Sequence, residues 1–537
     1  MRFVATRIAA VCLSLAAGQA AQAKNPSLEI DEITPIGRFG GRPYVKIEGV
    51  IAGTVDRQDG TTGSYRAPFR AMVPQRRANG IVVLTPVNNA AFNIYPRERL
   101  SEKDLADTTV LMTGDYRHRG SFFTGEYLFR NGYTYMAFGW NKRVTDTFGP
   151  NPPAGRDRAL AYGTIERGSD GNEIIKDAAR IIREVQPWKH FNVSAVLGIG
   201  HSQTGMRLSG FVRAGDNLSD GRLLYDGFLT SGQGGRCSQM TDVGPLYTVT
   251  GPCFGPTPPH QGKVIVVQME TDPTQFRGGT VRDETSSYRV YEYAGISHIP
   301  TPYFPLAPEF NATRQNPADM APGYRAAIAN LASWVVYNVE PPSSVYLEGT
   351  VAPDGLVTIA RDADGNALGG VRMPHMPQVV HGEPAGAPLG EYNGIESRAL
   401  NPFDPFVAFG GYFEPFSLAD VQARYGTRRE YIQRVRRSAR ALLESRFILP
   451  EDFEHYVRES REVARTYFGS VFEIAPRALC DADGNGKVDR ADINSILGAR
   501  GTAVAAGDAR DADHDGTLTV LDARACALRC SNAQCAP

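Results

Sequence analysis

A chain of 537 residues is too long for one simple core, so a large domain with an appendage is expected. Its 57 basic and 58 acidic residues leave a formal net charge of −1, which gives no footing for nucleic acid or an anionic membrane surface as a partner. The 42% hydrophobic content is that of a globular protein, and 56 glycines with 36 prolines predict many short connections.

Residues 1–23 read as a secretory signal. Arg2 and Arg7 supply the charged start, Ile8–Ala17 the apolar stretch and Ala21-Gln22-Ala23 the cleavage site. The apolar stretch is too short for a mature transmembrane helix, and Val11 before Cys12 argues against lipoprotein processing. No later stretch has the length and apolarity of a membrane span, so the expected mature chain is soluble and secreted or periplasmic. Without Cys12 six cysteines remain, an even number in an oxidising compartment. Cys237 and Cys253 are neighbours, whereas Cys480, Cys526, Cys530 and Cys535 crowd the C-terminus. One disulfide in the large domain and two in the tail is the simplest arrangement, with the tail pairing open. A zinc site is disfavoured because the tail lacks paired C-x-x-C knuckles and a suitably placed histidine.

Strand and helix signals alternate along the chain. Residues 30–55 are β-rich, and Ile81–Leu84 and Tyr133–Trp140 read as strands. A helix is predicted over Glu173–Val185, where Ile174, Ala178, Ile181 and Val185 share a face. Strands follow at 193–198, Leu223–Thr230, Val264–Met269 and Tyr288–Tyr293. Apolar strands separated by helices indicate an α/β fold, a mostly parallel sheet covered on both faces. Further helices are predicted at Ala326–Asn338, Leu418–Ser445 and Pro450–Tyr467, and residues 343–475 read as completing the large domain, 24–475.

The strand at 193–198 runs into Gly200-His201-Ser202-Gln203-Thr204-Gly205 and then into an amphipathic segment. This is the pattern of a nucleophile elbow, with Thr204 where the final glycine of G-x-S-x-G belongs. A serine hydroxyl needs a histidine to take its proton and a carboxylate to orient that histidine. In the order expected for such folds, acid and histidine follow successive strands: Glu270-Thr271-Asp272 after 264–269, and His298 after 288–293. Ser202 is therefore the candidate nucleophile and His298 the candidate base. Asp272 is favoured as the acid, with Glu270 as its competitor. His201 is expected to point away from the nucleophile. The backbone N–H of Gln203, with one from the Pro86–Ala90 loop near Asn88 or Asn89, would form an oxyanion hole.

These segments, together with Gly41–Gly53, Thr85–Asn89, Gly132–Trp140, Tyr162–Arg167, Tyr225–Phe228, Gly295–His298 and Arg361–Arg372, make the chain resemble a family of exported bacterial α/β-hydrolase-domain proteins. The resemblance covers most of residues 30–470. It implies an α/β-hydrolase fold and hydrolysis, with carboxylic esters as substrates.

The tail, 476–537, carries a separate signal. Asp481, Asp483, Asn485, Lys487, Asp489 and Asp492 occupy the ligand positions of a twelve-residue calcium loop, with Gly486 at its sharp turn. Asp511, Asp513, Asp515, Thr517, Thr519 and Asp522 repeat the pattern around Gly516. Aspartate at position 12 and one helix-like stretch per loop make the pair resemble a dockerin-type module, which implies bound Ca2+ and, less directly, a cohesin-like partner. Two functional readings follow. The first is a secreted serine hydrolase of small-molecule or polymeric esters, needing no cofactor for catalysis. The second is a non-catalytic hydrolase-fold scaffold that assembles through its tail.

Overall fold

The computed structural model describes residues 26–57, 59–86, 127–140, 165, 167, 170–185, 188, 192–239, 248–252, 261–299, 315–395, 409–468, 479–483, 485–504, 508–513, 515–532 and 535. The expected signal segment, 1–23, lies outside these residues. Contacts group the chain into two units. The first holds residues 1–376, 390–414 and 441–452; the second holds 377–389, 415–440 and 453–537.

The first unit is built on a sheet of β1 (Ser27–Phe39), β2 (Arg42–Asp56), β3 (Thr62–Pro74), β4 (Ile81–Pro86), β5 (Thr134–Phe138), β6 (Ala195–His201), β7 (Gly227–Ser231), β8 (Lys263–Met269) and β9 (Tyr288–Tyr293). Among the described residues its order is β1-β2-β3-β5-β4-β6-β7-β8-β9. The first three strands form an antiparallel wing, and every pair from β5 to β9 is parallel. This is an α/β-hydrolase sheet. Continuous apolar runs such as Ile81-Val-Val-Leu84 suit it because such strands are buried on both faces.

Helices cover both faces. A Cβ on Gly227 would lie 2.9 Å from Leu331 and Val335 of the helix Ala321–Tyr337, whereas the next residue, Phe228, packs its ring 6.4 Å from Phe211 of the helix Gln203–Arg213. Successive strand residues point to opposite faces, so these two helices sandwich the sheet.

Three predicted elements change on folding. The helix expected over 173–185 is α-helical at Gly171–Arg180 and widens into a π-helical turn at Ile181–Val185, where Arg183 donates to Leu224 O (2.6 Å) and Asp226 (2.5 Å). The strand expected over 223–230 begins only at Gly227. The Asn217 side chain accepts from Tyr225 N (2.9 Å) and donates to Tyr225 O (2.9 Å), so Tyr225 is held out of the ladder, and backbone bonding to the flanking strands starts with Asp226 N donating to Val196 O (2.8 Å). The helix expected over 418–445 divides at Gly426, whose φ of 66° no α-helix accommodates, into Leu418–Tyr425 and Arg428–Glu444.

In the second unit, one apolar cluster joins Val421, Tyr425, Tyr431, Val435, Ala464 and Phe468. Another, around Cys480, Val488, Ile496, Ala523 and Cys526, is the core of the tail.

Candidate active site

The elbow is formed where β6 ends. Ser202 adopts φ 54°, ψ −118°, a backbone state costly for an L-residue, and the helix Gln203–Arg213 starts at the next position. Four hydrogen bonds hold it there. Ser202 N donates to Ser231 O (2.7 Å), Met206 N donates to Ser202 O (2.9 Å), and the Thr204 hydroxyl accepts from His201 N and donates to His201 O, both at 3.0 Å. The glycines at 200 and 205 are required by close approach. A Cβ at 200 would lie 2.6 Å from the Thr204 backbone, and one at 205 would lie 2.5 Å from Ser231 O. Position 204 has room for a side chain and uses it to lock the turn.

His298 Nε2 lies 2.9 Å from Ser202 Oγ, and His298 Nδ1 lies 2.9 Å from an Asp272 oxygen. The other Asp272 oxygen accepts from Met269 N (2.7 Å). Asp272 and His298 are buried and Ser202 is half-buried, so the relay opens toward solvent only at its nucleophilic end. The structure brings Asp272, not Glu270, to the imidazole. The Glu270 carboxylate turns to Gly295 N (2.8 Å) and to the Arg361 guanidinium. Complete burial pushes the Glu270 carboxyl above the usual carboxylate range, opposed by the Arg361 charge.

His201 does not point away. Its ring lies against that of His298, with centroids 4.8 Å apart, and its Nδ1 is 2.9 Å from Ser231 Oγ. Burial, and then the charge on His298, pushes its pKa well below the ordinary value. The reason is register: His201 pairs with Ser231 at the carboxyl end of the sheet, the same edge that receives the His298 loop. Phe276 and Phe409 complete an aromatic collar, with ring centroids 5.4 and 5.3 Å from His298, and the Arg236 guanidinium lies 4.8 Å over Phe276. Sequence reasoning missed both rings, and no local motif marks Phe409. Gln203 is buried at the start of its helix, directly after Ser202. Asn88 and Asn89 lie outside the described residues.

In the tail, carboxylate oxygens of Asp481, Asp483 and Asp492 lie within 4.8 Å of one another, as do those of Asp511, Asp513 and Asp522. The two loops repeat each other's bonding. Asp492 accepts from Ala482 N (2.6 Å) and Asp489 N (2.8 Å), and Asp522 accepts from Ala512 N and Thr519 N, both at 2.7 Å. Other predicted ligands are used locally. Asp489 and Thr519 cap the helices Arg490–Gly498 and Val520–Ala527, Asn485 accepts from Lys487 N, and Asp515 accepts from Thr517 N. Asp513 is pushed above the usual carboxylate range by desolvation and by the neighbouring Asp522, Asp515 and Asp511. Crowded, mutually repelling oxygens are the donor set that suits a hard divalent cation. Of the three open tail pairings, the structure has Cys480–Cys526 and Cys530–Cys535. Cys237 is disulfide-bonded, and Cys253 lies outside the described residues.

Residues 44–458 match the family model described as "Alpha/beta hydrolase domain". The chain belongs to this family. The match ends before the tail, and the comparisons give no support to a cohesin-like partner. No curated protein matches the sequence. Solved structures similar to this family member include the α/β serine hydrolase without lid, XC6422, from Xanthomonas campestris (11% identity, 45% of this chain and 83% of the other, TM-score 0.23). Others are a CE15 glucuronoyl esterase from Teredinibacter turnerae T7901 (13%, 39% and 46%, TM-score 0.23) and Methylesterase BT1017 (10%, 46% and 46%, TM-score 0.24). The chain spans less than half the length of these last two, and at such identities the likeness concerns the fold alone.

Proposed function

We propose that this protein is a secreted serine hydrolase of carboxylic esters. The observation that carries the reading is the continuous relay from Ser202 Oγ through the His298 ring to Asp272, with both links at 2.9 Å. With its proton on Nδ1, held by Asp272, His298 presents a bare Nε2 to the serine hydroxyl. As Ser202 Oγ attacks the ester carbonyl, Nε2 takes the hydroxyl proton, and Asp272 stabilises the imidazolium that results. The Gln203 N–H donates to the developing oxyanion. The imidazolium then protonates the departing alkoxide, leaving an acyl-Ser202, and a water activated at the same Nε2 releases the acid. Esters suit this apparatus because an alkoxide leaves the tetrahedral intermediate more readily than an amide nitrogen.

The tail is read as a structural calcium module. Asp481, Asp483 and Asp492 would hold one ion and Asp511, Asp513 and Asp522 a second, each ion neutralising its cluster. Export is supported by the signal-like residues 1–23 and by disulfides, which persist in oxidising compartments.

The test is labelling with a fluorophosphonate probe and turnover of aryl esters of increasing acyl length, for wild type and Ser202→Ala. Labelling and turnover that both vanish in the variant support the reading. Undiminished turnover in a folded Ser202→Ala overturns it, and a wild type that neither labels nor turns over favours the scaffold.

A further inference from the structure

The segment Arg361–Arg372 takes no part in the relay, yet it runs beside the carboxyl edge of the sheet. Val371 bridges in parallel to Tyr293, the last residue of β9, and Ala294 N, at the start of the His298 loop, donates to Val371 O (3.1 Å). From the other end of this segment Arg361 reaches back to Glu270. Its Nη1 donates to Gly365 O (2.9 Å), closing the segment's own turn, and its Nη2 meets the Glu270 carboxylate and Asn393 Oδ1 (3.4 Å).

Glu270, Thr271 and Asp272 form three successive grips on the loop 295–298. Glu270 N donates to Ile296 O (3.0 Å), and the Glu270 carboxylate accepts from Gly295 N (2.8 Å). Thr271 Oγ1 accepts from His298 N (2.9 Å) and donates to Gly394 O (2.6 Å). Asp272 holds the His298 ring itself (2.9 Å). Asn316 fastens the same loop from a third direction, donating to Gly295 O and Asn393 O, both at 3.0 Å. Gly295 has φ 65°, a backbone state that favours glycine, and a Cβ there would lie 2.3 Å from Met376 Sδ.

We infer that Glu270 and Arg361 are positioning residues for the general base: Arg361 holds Glu270 in place, and Glu270 fixes the loop from which His298 meets both Ser202 and Asp272. This rests on the hydrolase reading of the same site. The physical argument is that a fully buried carboxylate is stable only against a partner charge. Glu270 in turn supplies the loop's first anchor, three residues before the imidazole. A base displaced by even 1 Å from its 2.9 Å contact loses much of its effect on the rate. Glu270 thus acts through His298 and not on the substrate.

The experiment compares Glu270→Gln, Arg361→Gln, Arg361→Lys and the double variant Glu270→Gln/Arg361→Gln in the full-length protein, with ester turnover, fluorophosphonate labelling rate and thermal unfolding measured together. The expected result for either single Gln variant is a fall in kcat of up to roughly 100-fold with KM within about twofold of wild type. The labelling rate of Ser202 should fall in parallel. Arg361→Lys should restore part of the rate by returning the charge, and the double variant should lose no more than the worse single one, because the pair acts as a unit. Single variants that fold and keep wild-type kcat and labelling overturn the inference, as does a loss confined to KM or to melting temperature. If wild type itself shows no Ser202-dependent turnover, the hydrolase reading has failed, a result distinct from active wild type with unaffected variants.

Discussion

The carboxylates around His298 and those in the tail are both crowded and both bonded to backbone N–H groups, but their charges are handled in opposite ways. Near His298, each acid is answered by a group far along the chain: Asp272 by His298, Glu270 by Arg361. In the tail, Asp481, Asp483 and Asp492 are bonded within their own loop, as are Asp511, Asp513 and Asp522, and no basic side chain enters either cluster among the described residues. The first arrangement is finished by folding alone. The second is left with surplus negative charge, which is what a cation would complete.

The largest effect should come from the relay. Ser202→Ala is expected to lower kcat by roughly 10⁴- to 10⁶-fold with little change in melting temperature, measured on an aryl ester. Asp272→Asn should cost roughly 10⁴-fold by favouring the wrong imidazole tautomer. If Glu270→Gln instead costs more than Asp272→Asn, the assignment of the acid is wrong and the comparison above loses its first half.

The tail responds to different perturbations. Replacing Cys480 and Cys526 by alanine removes a bridge with a sequence separation of 46. Chain entropy predicts a loss of about 4 kcal/mol for a loop of that length, seen as a lower denaturation midpoint of the tail while ester turnover persists. Calcium added to chelator-treated full-length protein should raise the melting temperature of a transition that is lost in Asp492→Ala. No calcium response would leave the two regions alike, each self-sufficient.

Acid sensitivity gives a subtler contrast. His201 is buried and its folded-state pKa is depressed below 6.5. Below that pH the unfolded chain binds a proton that the folded chain refuses. Stability therefore falls on acidification, at up to about 1.4 kcal/mol per pH unit, and returns as the pH rises. His201→Phe should flatten this slope in melting curves recorded between neutral pH and the onset of acid unfolding. The smallest effect belongs to Thr204→Ala. Losing its two hydroxyl contacts to His201 should cost about 1 kcal/mol, because Gly200 and Gly205 still admit the turn.

Features written in short runs of sequence were legible before folding. The strand, the elbow at Ser202, the two acidic loops and the placement of acid and histidine after their strands each depend on short-range spacing. Thr204 looked irregular in the motif, but packing shows that the glycine needed for close approach is Gly205, one step later. The Asp272–Glu270 alternative stayed open in sequence because both side chains leave the same strand end within two residues. Only the direction of each carboxylate, set by Met269 N on one side and by Gly295 N with Arg361 on the other, separates them. His201 faces His298 rather than away from it because its neighbour in space is decided by the register of β6 against β7.

The sequence by itself therefore determined the fold class, the nucleophile candidate and the acidic loops, because hydrophobic period, turn chemistry and ligand spacing are local properties of a chain. Tertiary structure alone decided which carboxylate meets the histidine, which rings surround it and which arginine answers Glu270. Those are contacts between residues brought together by sheet order, and their energies arise from burial and geometry that no short stretch of sequence contains.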